Sequence, residues 1–152
     1  MVNTMPWADI GQLKPGDTAS CEFVASEGNV EIFAELSHDD NPLHMDDRVA
    51  RSCGFPRRVA HGMLALSAIS RLIGTQLPGP GSLWISQELK FPAAVLVGDQ
   101  LVAQVAVEQV SVAAGVVKLR TEVRQKELGT VVLTGSAMVK VPRRQDTTER
   151  SV

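Results

Sequence analysis

Asp39-Asp40-Asn41-Pro42-Leu43-His44 sets a carboxylate five residues ahead of an imidazole, across a proline-stiffened turn. After a polar linker, His61-Gly62-Met63 opens a long apolar helical pattern, which brings a backbone N–H at a helix start into play. Two short side chains flanking a residue of fixed φ can converge on one water molecule. Histidine has an unperturbed pKa closer to neutrality than other side chains. Adding water across an activated double bond requires such a set. Something must hold and deprotonate the water, something must return a proton, and something must take up charge on a carbonyl oxygen. An Asx-type turn carrying a surface histidine would use the same residue types without any chemistry.

The chain that has to position these groups has 152 residues, enough for one domain with a single core. Its 44% hydrophobic and 21% charged content are those of a soluble globular protein. A net charge of −2 offers no basic face for nucleic acid or anionic lipid. No apolar run reaches the roughly 18 residues of a membrane span. The stretch from Met1 to Lys14 lacks the charged-then-apolar layout of a signal peptide. Cys21 and Cys53 lack metal-like spacing and read as reduced thiols, so the expected location is cytoplasmic.

Ser26 is placed to cap a helix on which Val30, Phe33, Ala34 and Leu36 recur at helical spacing; it should stop near Ser37. One or two further turns are expected over Asp46 to Ser52, then a loop over Gly54 to Arg58. From His61 to about Thr75, Leu64, Ala65, Ala68, Ile69, Leu72 and Ile73 form a buried helical stripe. Thr18 to Val24 reads as an edge strand. Ser82 to Phe91, Gln100 to Val112, Val116 to Gln125 and Val131 to Val141 read as longer strands separated by turn signals. Val117, Leu119, Thr121 and Val123 alternate with Lys118, Arg120, Glu122 and Arg124, giving one dry and one wet face. Long antiparallel strands would curl around the one apolar helix, because nothing else can cover their dry face. The expected fold class is therefore α+β: a curved antiparallel β-sheet wrapped around a central α-helix, with a helical insertion carrying the Asp/His motif. Exposed sheet edges predict a homodimer. Residues 143–152 are expected to be a disordered tail to a domain spanning 1–142.

These residues, in this order, resemble the MaoC-like (R)-specific enoyl-CoA hydratases of the hot-dog superfamily. The likeness covers most of the chain. It rests on Phe33-Ala34-Glu35-Leu36-Ser37, the signature Asp39-x-Asn41-Pro42-Leu43-His44, His61-Gly62-Met63, Leu77-Pro78-Gly79-Pro80-Gly81-Ser82, and Phe91 through Val97-Gly98-Asp99. It implies the hot-dog fold, a trans-2-enoyl-CoA substrate, an (R)-3-hydroxyacyl-CoA product and a cleft at a dimer interface. It implies no cofactor, since coenzyme A is part of the substrate and the reaction needs no metal, flavin or nicotinamide. Dehydration of a 3-hydroxyacyl group on acyl carrier protein, acyl-CoA hydrolysis and non-catalytic acyl-CoA binding are the alternatives on such a scaffold.

On this resemblance Asp39 and His44 are the catalytic pair, sharing one water, with the proton acceptor left open between them. Gly62 is the oxyanion-hole candidate, because a glycine at a helix start lets a carbonyl oxygen approach its N–H. Asn41 either orients the pair or makes the turn. Ser70 matches a serine that the family places near its site. Eight helical residues advance roughly 12 Å, so it cannot bind the same oxygen as Gly62. A supporting role at Asp39 or along the acyl pocket remains, beside simple bonding to its own helix. His61 is expected to pack or cap the helix entry, and His38 to be solvated. A metal site from His38, Asp39, His44 and Asp46 fits no familiar zinc spacing. Leu83, Trp84 and Ile85 are candidates for an acyl tunnel or ordinary core. Arg57 and Arg58 are candidates for phosphate contacts or solvated charges.

Overall fold

A computed structural model describes residues 7–141, so the tail expected over 143–152 lies outside the described residues. Five strands form one antiparallel sheet: β1 (Thr18–Val24), β2 (Leu83–Lys90), β3 (Gln100–Ser111), β4 (Val116–Gln125) and β5 (Val131–Lys140), in the order β1-β3-β4-β5-β2. β1 is an edge strand, as its loose alternation predicts, and β2 is the other edge. Four α-helices lie between β1 and β2: α1 (Glu27–Ser37), α2 (Pro42–Met45), α3 (Asp47–Ser52) and α4 (Gly62–Thr75).

The core is the dry face of the sheet closed over α4. All six residues of the predicted stripe are buried: Leu64, Ala65, Ala68, Ile69, Leu72 and Ile73. They meet Leu101, Ala103, Val105, Leu119, Val123, Leu133 and Val139 in one cluster. On β4 the dry set Val117, Leu119, Thr121 and Val123 is buried while Arg120 and Arg124 stand in solvent. The sheet is open rather than closed into a barrel, leaving both edge strands with unpaired main-chain groups.

Ser26 caps α1 as expected, its hydroxyl accepting from the Asn29 N–H at 3.2 Å. Leu36 departs from expectation: it is 78% exposed. α1 buries only Val30 and Ala34, a stripe too narrow to reach it. Pro42 opens the one-turn α2 rather than only ending a helix, because a residue without an N–H suits the first helical position. In β2 the register shifts between Trp84 and Ser86, with Ile85 as the extra residue of a bulge. Leu83 and Ile85 therefore point outward, 58% and 52% exposed, and only Trp84 packs on the core.

Candidate active site

Asp39 lies just past α1. His38, the C-cap, takes φ 57°, a left-handed turn that ends the helix and swings the chain across the start of α4. Ser37 Oγ then accepts from the Asp39 N–H at 3.2 Å. Asn41 makes the turn: its Oδ1 caps α2 by accepting from the Leu43 N–H at 3.0 Å. Asp46 does the same for α3, accepting from Arg48 N at 2.7 Å, and this main-chain donor holds its carboxyl below the usual carboxylate range.

α2 carries His44 inward to a side-chain exposure of 13%. Two bonds tie it to the following loop. Val59 N–H donates to the Leu43 carbonyl at 3.2 Å, and His44 Nδ1 lies 2.7 Å from the Val59 carbonyl oxygen. A carbonyl can only accept, so Nδ1 carries a hydrogen, and in the neutral ring Nε2 keeps its lone pair. That lone pair is 3.9 Å from Asp39 Oδ2. The distance is too long for a direct hydrogen bond and short enough for one water to touch both groups. The sequence left the proton acceptor open; this tautomer gives His44 Nε2 the free lone pair.

His61 packs at the entry to α4, one of the two places the sequence allowed it, but its partners were not foreseen. It is the N-cap residue of α4 but its side chain caps nothing. The ring is 2% exposed, lies 3.9 Å from the His44 ring centroid to centroid, and packs on Phe33. Its Nε2 is 2.9 Å from the Asp39 carbonyl oxygen, which makes it the donor there. Asp39, His44 and His61 thus gather their ligand-type atoms within 4.8 Å. This is a different trio from the set with His38 and Asp46. Because His61 Nε2 already holds a hydrogen for the Asp39 carbonyl, it cannot ligate a cation without giving up that bond. The donor set therefore suits proton handling better than a metal ion.

Gly62 and His44 line the same cleft, about 410 Å³ in volume, with Val59, Ala65, Phe91 and Val132 among its apolar walls. As the first residue of α4, Gly62 has no carbonyl one turn back to receive its N–H. A Cβ here would lie 3.1 Å from the Phe91 ring, so the glycine also lets that aromatic wall close on the helix start. Ser70 stands apart. Two turns along α4 it is exposed, it does not line this cleft, and its hydroxyl makes no hydrogen bond among the described residues. Eight residues advance a helix roughly 12 Å, and within one chain Ser70 makes neither contact expected of it. Leu83, Trp84 and Ile85 do not line the cleft either. Arg57 keeps a half-exposed side chain, as a solvated charge would, while Arg58 is largely withdrawn from solvent. Arg57 pairs with Asp99 at 2.8 Å, and Arg58, 13% exposed, pairs with Glu27 at 2.7 Å. They pin the loop that carries Val59. A larger hollow of about 650 Å³ lies against Gln109, Val110 and Met138, and its charged residues Glu108 and Lys118 are paired with each other at 3.2 Å.

No helix among the described residues is long and apolar enough to cross a membrane. Residues 12–128 match the family model described as the MaoC like domain. The chain is 41% identical over 132 residues to the (R)-specific enoyl-CoA hydratase of Rhodospirillum rubrum, covering 87% of this chain and 90% of that protein. It is 38% identical over 141 residues to the 3-hydroxybutyryl-CoA dehydratase of Methylorubrum extorquens, covering 88% and 84%. The fold superposes on the solved (R)-hydratase of A. caviae involved in PHA biosynthesis with a TM-score of 0.83 and 38% identity, over 86% of this chain and 98% of the other. With a five-stranded antiparallel sheet on a central helix and a family match over most of its length, the chain belongs to the MaoC-like family and has its hot-dog fold.

Proposed function

We propose that this chain is a hydro-lyase that reversibly hydrates trans-2-enoyl-CoA to (R)-3-hydroxyacyl-CoA. The observation that carries this reading is His44 Nε2 at 3.9 Å from Asp39 Oδ2, with His44 and Gly62 lining one cleft and Asp39 beside it, outside the lining. A water between the two needs no redox partner to add. His44 Nε2 takes one of its hydrogens, Asp39 Oδ2 accepts the other as a hydrogen bond, and the oxygen adds to the β-carbon. The electron pair moves onto the thioester oxygen, where the Gly62 N–H and the positive end of α4 stabilise it. The proton held by the pair then goes to the α-carbon. Water in and hydroxyacyl thioester out balance with no change of oxidation state, so flavin and nicotinamide have no part; coenzyme A arrives with the substrate. The named relatives act in the same reaction class.

The working unit in this reading is a homodimer. The outward Leu83 and Ile85 on the unpaired edge of β2 support it. Free Cys21 and Cys53 support a reducing, cytoplasmic setting. Purified protein mixed with crotonyl-CoA is expected to remove the conjugated enoyl absorbance and yield the (R)-3-hydroxy product. No loss of absorbance, release of free thiol, or turnover confined to acyl-carrier substrates would each overturn the assignment in its own way.

A further inference from the structure

A histidine at position 61 is costly for the fold. Among the described residues His61 and Thr121 are the buried polar side chains, and His61 Nδ1 is buried with no hydrogen-bond partner. A leucine would fill a similar slot against Phe33 without stranding a polar atom. What histidine adds is the bond from Nε2 to the Asp39 carbonyl at 2.9 Å, and the flat ring against His44.

Asp39 has need of that bond. Its side chain is 52% exposed, so burial does not fix it. Its other bonds are local: the N–H to Ser37 Oγ at 3.2 Å, and a long contact of 3.4 Å from the Asn41 N–H to Oδ1. Among the described residues, only the His61 bond ties Asp39 to an element outside residues 37–41. The same ring meets His44 at 3.9 Å with a tilt of 36°, while the Val59 carbonyl holds the opposite nitrogen of His44. One buried side chain therefore touches both members of the pair.

We propose that His61 is a positioning residue for the hydration reaction: by donating to the Asp39 main chain and stacking on His44, it sets the gap in which one water meets both groups. The inference rests on the hydratase reading above. His61 spends its Nε2 hydrogen on the Asp39 carbonyl and so is not one of the reacting groups. Its loss moves the pair rather than removing a reacting group, so it acts on turnover more than on binding.

The test pairs His61→Leu, which keeps bulk and loses the donor, with His61→Gln, whose amide nitrogen reproduces the donor at Nε2. With crotonyl-CoA, His61→Leu is expected to lower kcat about 10- to 100-fold with KM within about twofold. His61→Gln is expected to recover most of that loss. Long-range proton–nitrogen NMR of the wild-type histidines is expected to find hydrogen on His61 Nε2 and on His44 Nδ1, a readout that needs neither a variant nor turnover. Equal activity of the Leu and Gln variants, or a His61 hydrogen on Nδ1, would overturn the inference while an active wild type upholds the hydratase reading. A wild type without hydratase activity would overturn that reading, and this inference with it.

Discussion

Replacing His44 with asparagine separates its two nitrogens. An asparagine amide sits where Nδ1 does, so His44→Asn retains a donor for the Val59 carbonyl now bonded at 2.7 Å. It leaves nothing at the Nε2 position to take a proton. Loss of a general base costs roughly 10²–10⁴ in rate, or about 3–5 kcal/mol of barrier. The folded state loses only the ring contact with His61, worth about 0.5–1.5 kcal/mol. His44→Ala removes the Val59 partner as well. Val59 is 8% exposed, so its stranded carbonyl adds about 1–3 kcal/mol of destabilisation. The two variants should therefore be equally inactive in the enoyl absorbance assay and clearly different in urea titration. Retention of more than about a tenth of wild-type kcat by His44→Asn would refute the base assignment. Identical stabilities for the two would refute the Val59 bond and the tautomer that follows from it.

Asp39→Asn keeps the shape of a half-exposed side chain. It should cost roughly 10²–10⁴ in kcat and shift stability by less than about 0.5 kcal/mol, measured by the same assay and by urea. Gly135 on β5 faces the Glu88 carbonyl so closely that a Cβ would overlap it; Gly135→Ala should destabilise by about 1–3 kcal/mol or more in urea titration, and an unchanged midpoint would contradict the β2–β5 register. Burial pushes the Cys21 thiol up, so its native state holds the proton to higher pH than the unfolded chain does. Its contribution to stability is thus present below the ordinary thiol pKa and lost as pH rises beyond it; mass spectrometry of a maleimide reaction should show exposed Cys53 labelled first and Cys21 catching up only at alkaline pH. Leu83→Lys with Ile85→Lys on the β2 edge should shift sedimentation from dimer toward monomer, whereas unchanged sedimentation would remove β2 as the interface.

Local periodicity made much of the fold legible. α4 and β4 could be read residue by residue because each has one dry face, and a repeat of 3.6 or 2 places every apolar side chain. The Asp39 to His44 spacing was legible for the same reason, since both lie within one short turn-and-helix stretch. What depends on distant partners was not. Nothing in His61-Gly62 signals that the ring reaches back to a carbonyl at position 39. Nothing around Arg57 and Arg58 names Asp99 and Glu27 as their partners. The bulge at Ile85 hides because one added residue looks like ordinary alternation until the neighbouring strand is known. Ser70 looked useful by position along the chain, and the winding of α4 carries it to an exposed face.

On the reading proposed above, the reacting groups come from one short length of chain, residues 39 to 62, whereas Phe91 to Val95 and Val132 supply much of the apolar lining. Part of the cleft lining is thus written far along the sequence from those groups, while Phe55, Val59 and Ala60 lie among them. On that reading, replacements at Ala93, Ala94 or Val132 retune which acyl groups are admitted without altering a hydrogen-transfer residue, so selectivity can drift there while the chemistry is kept.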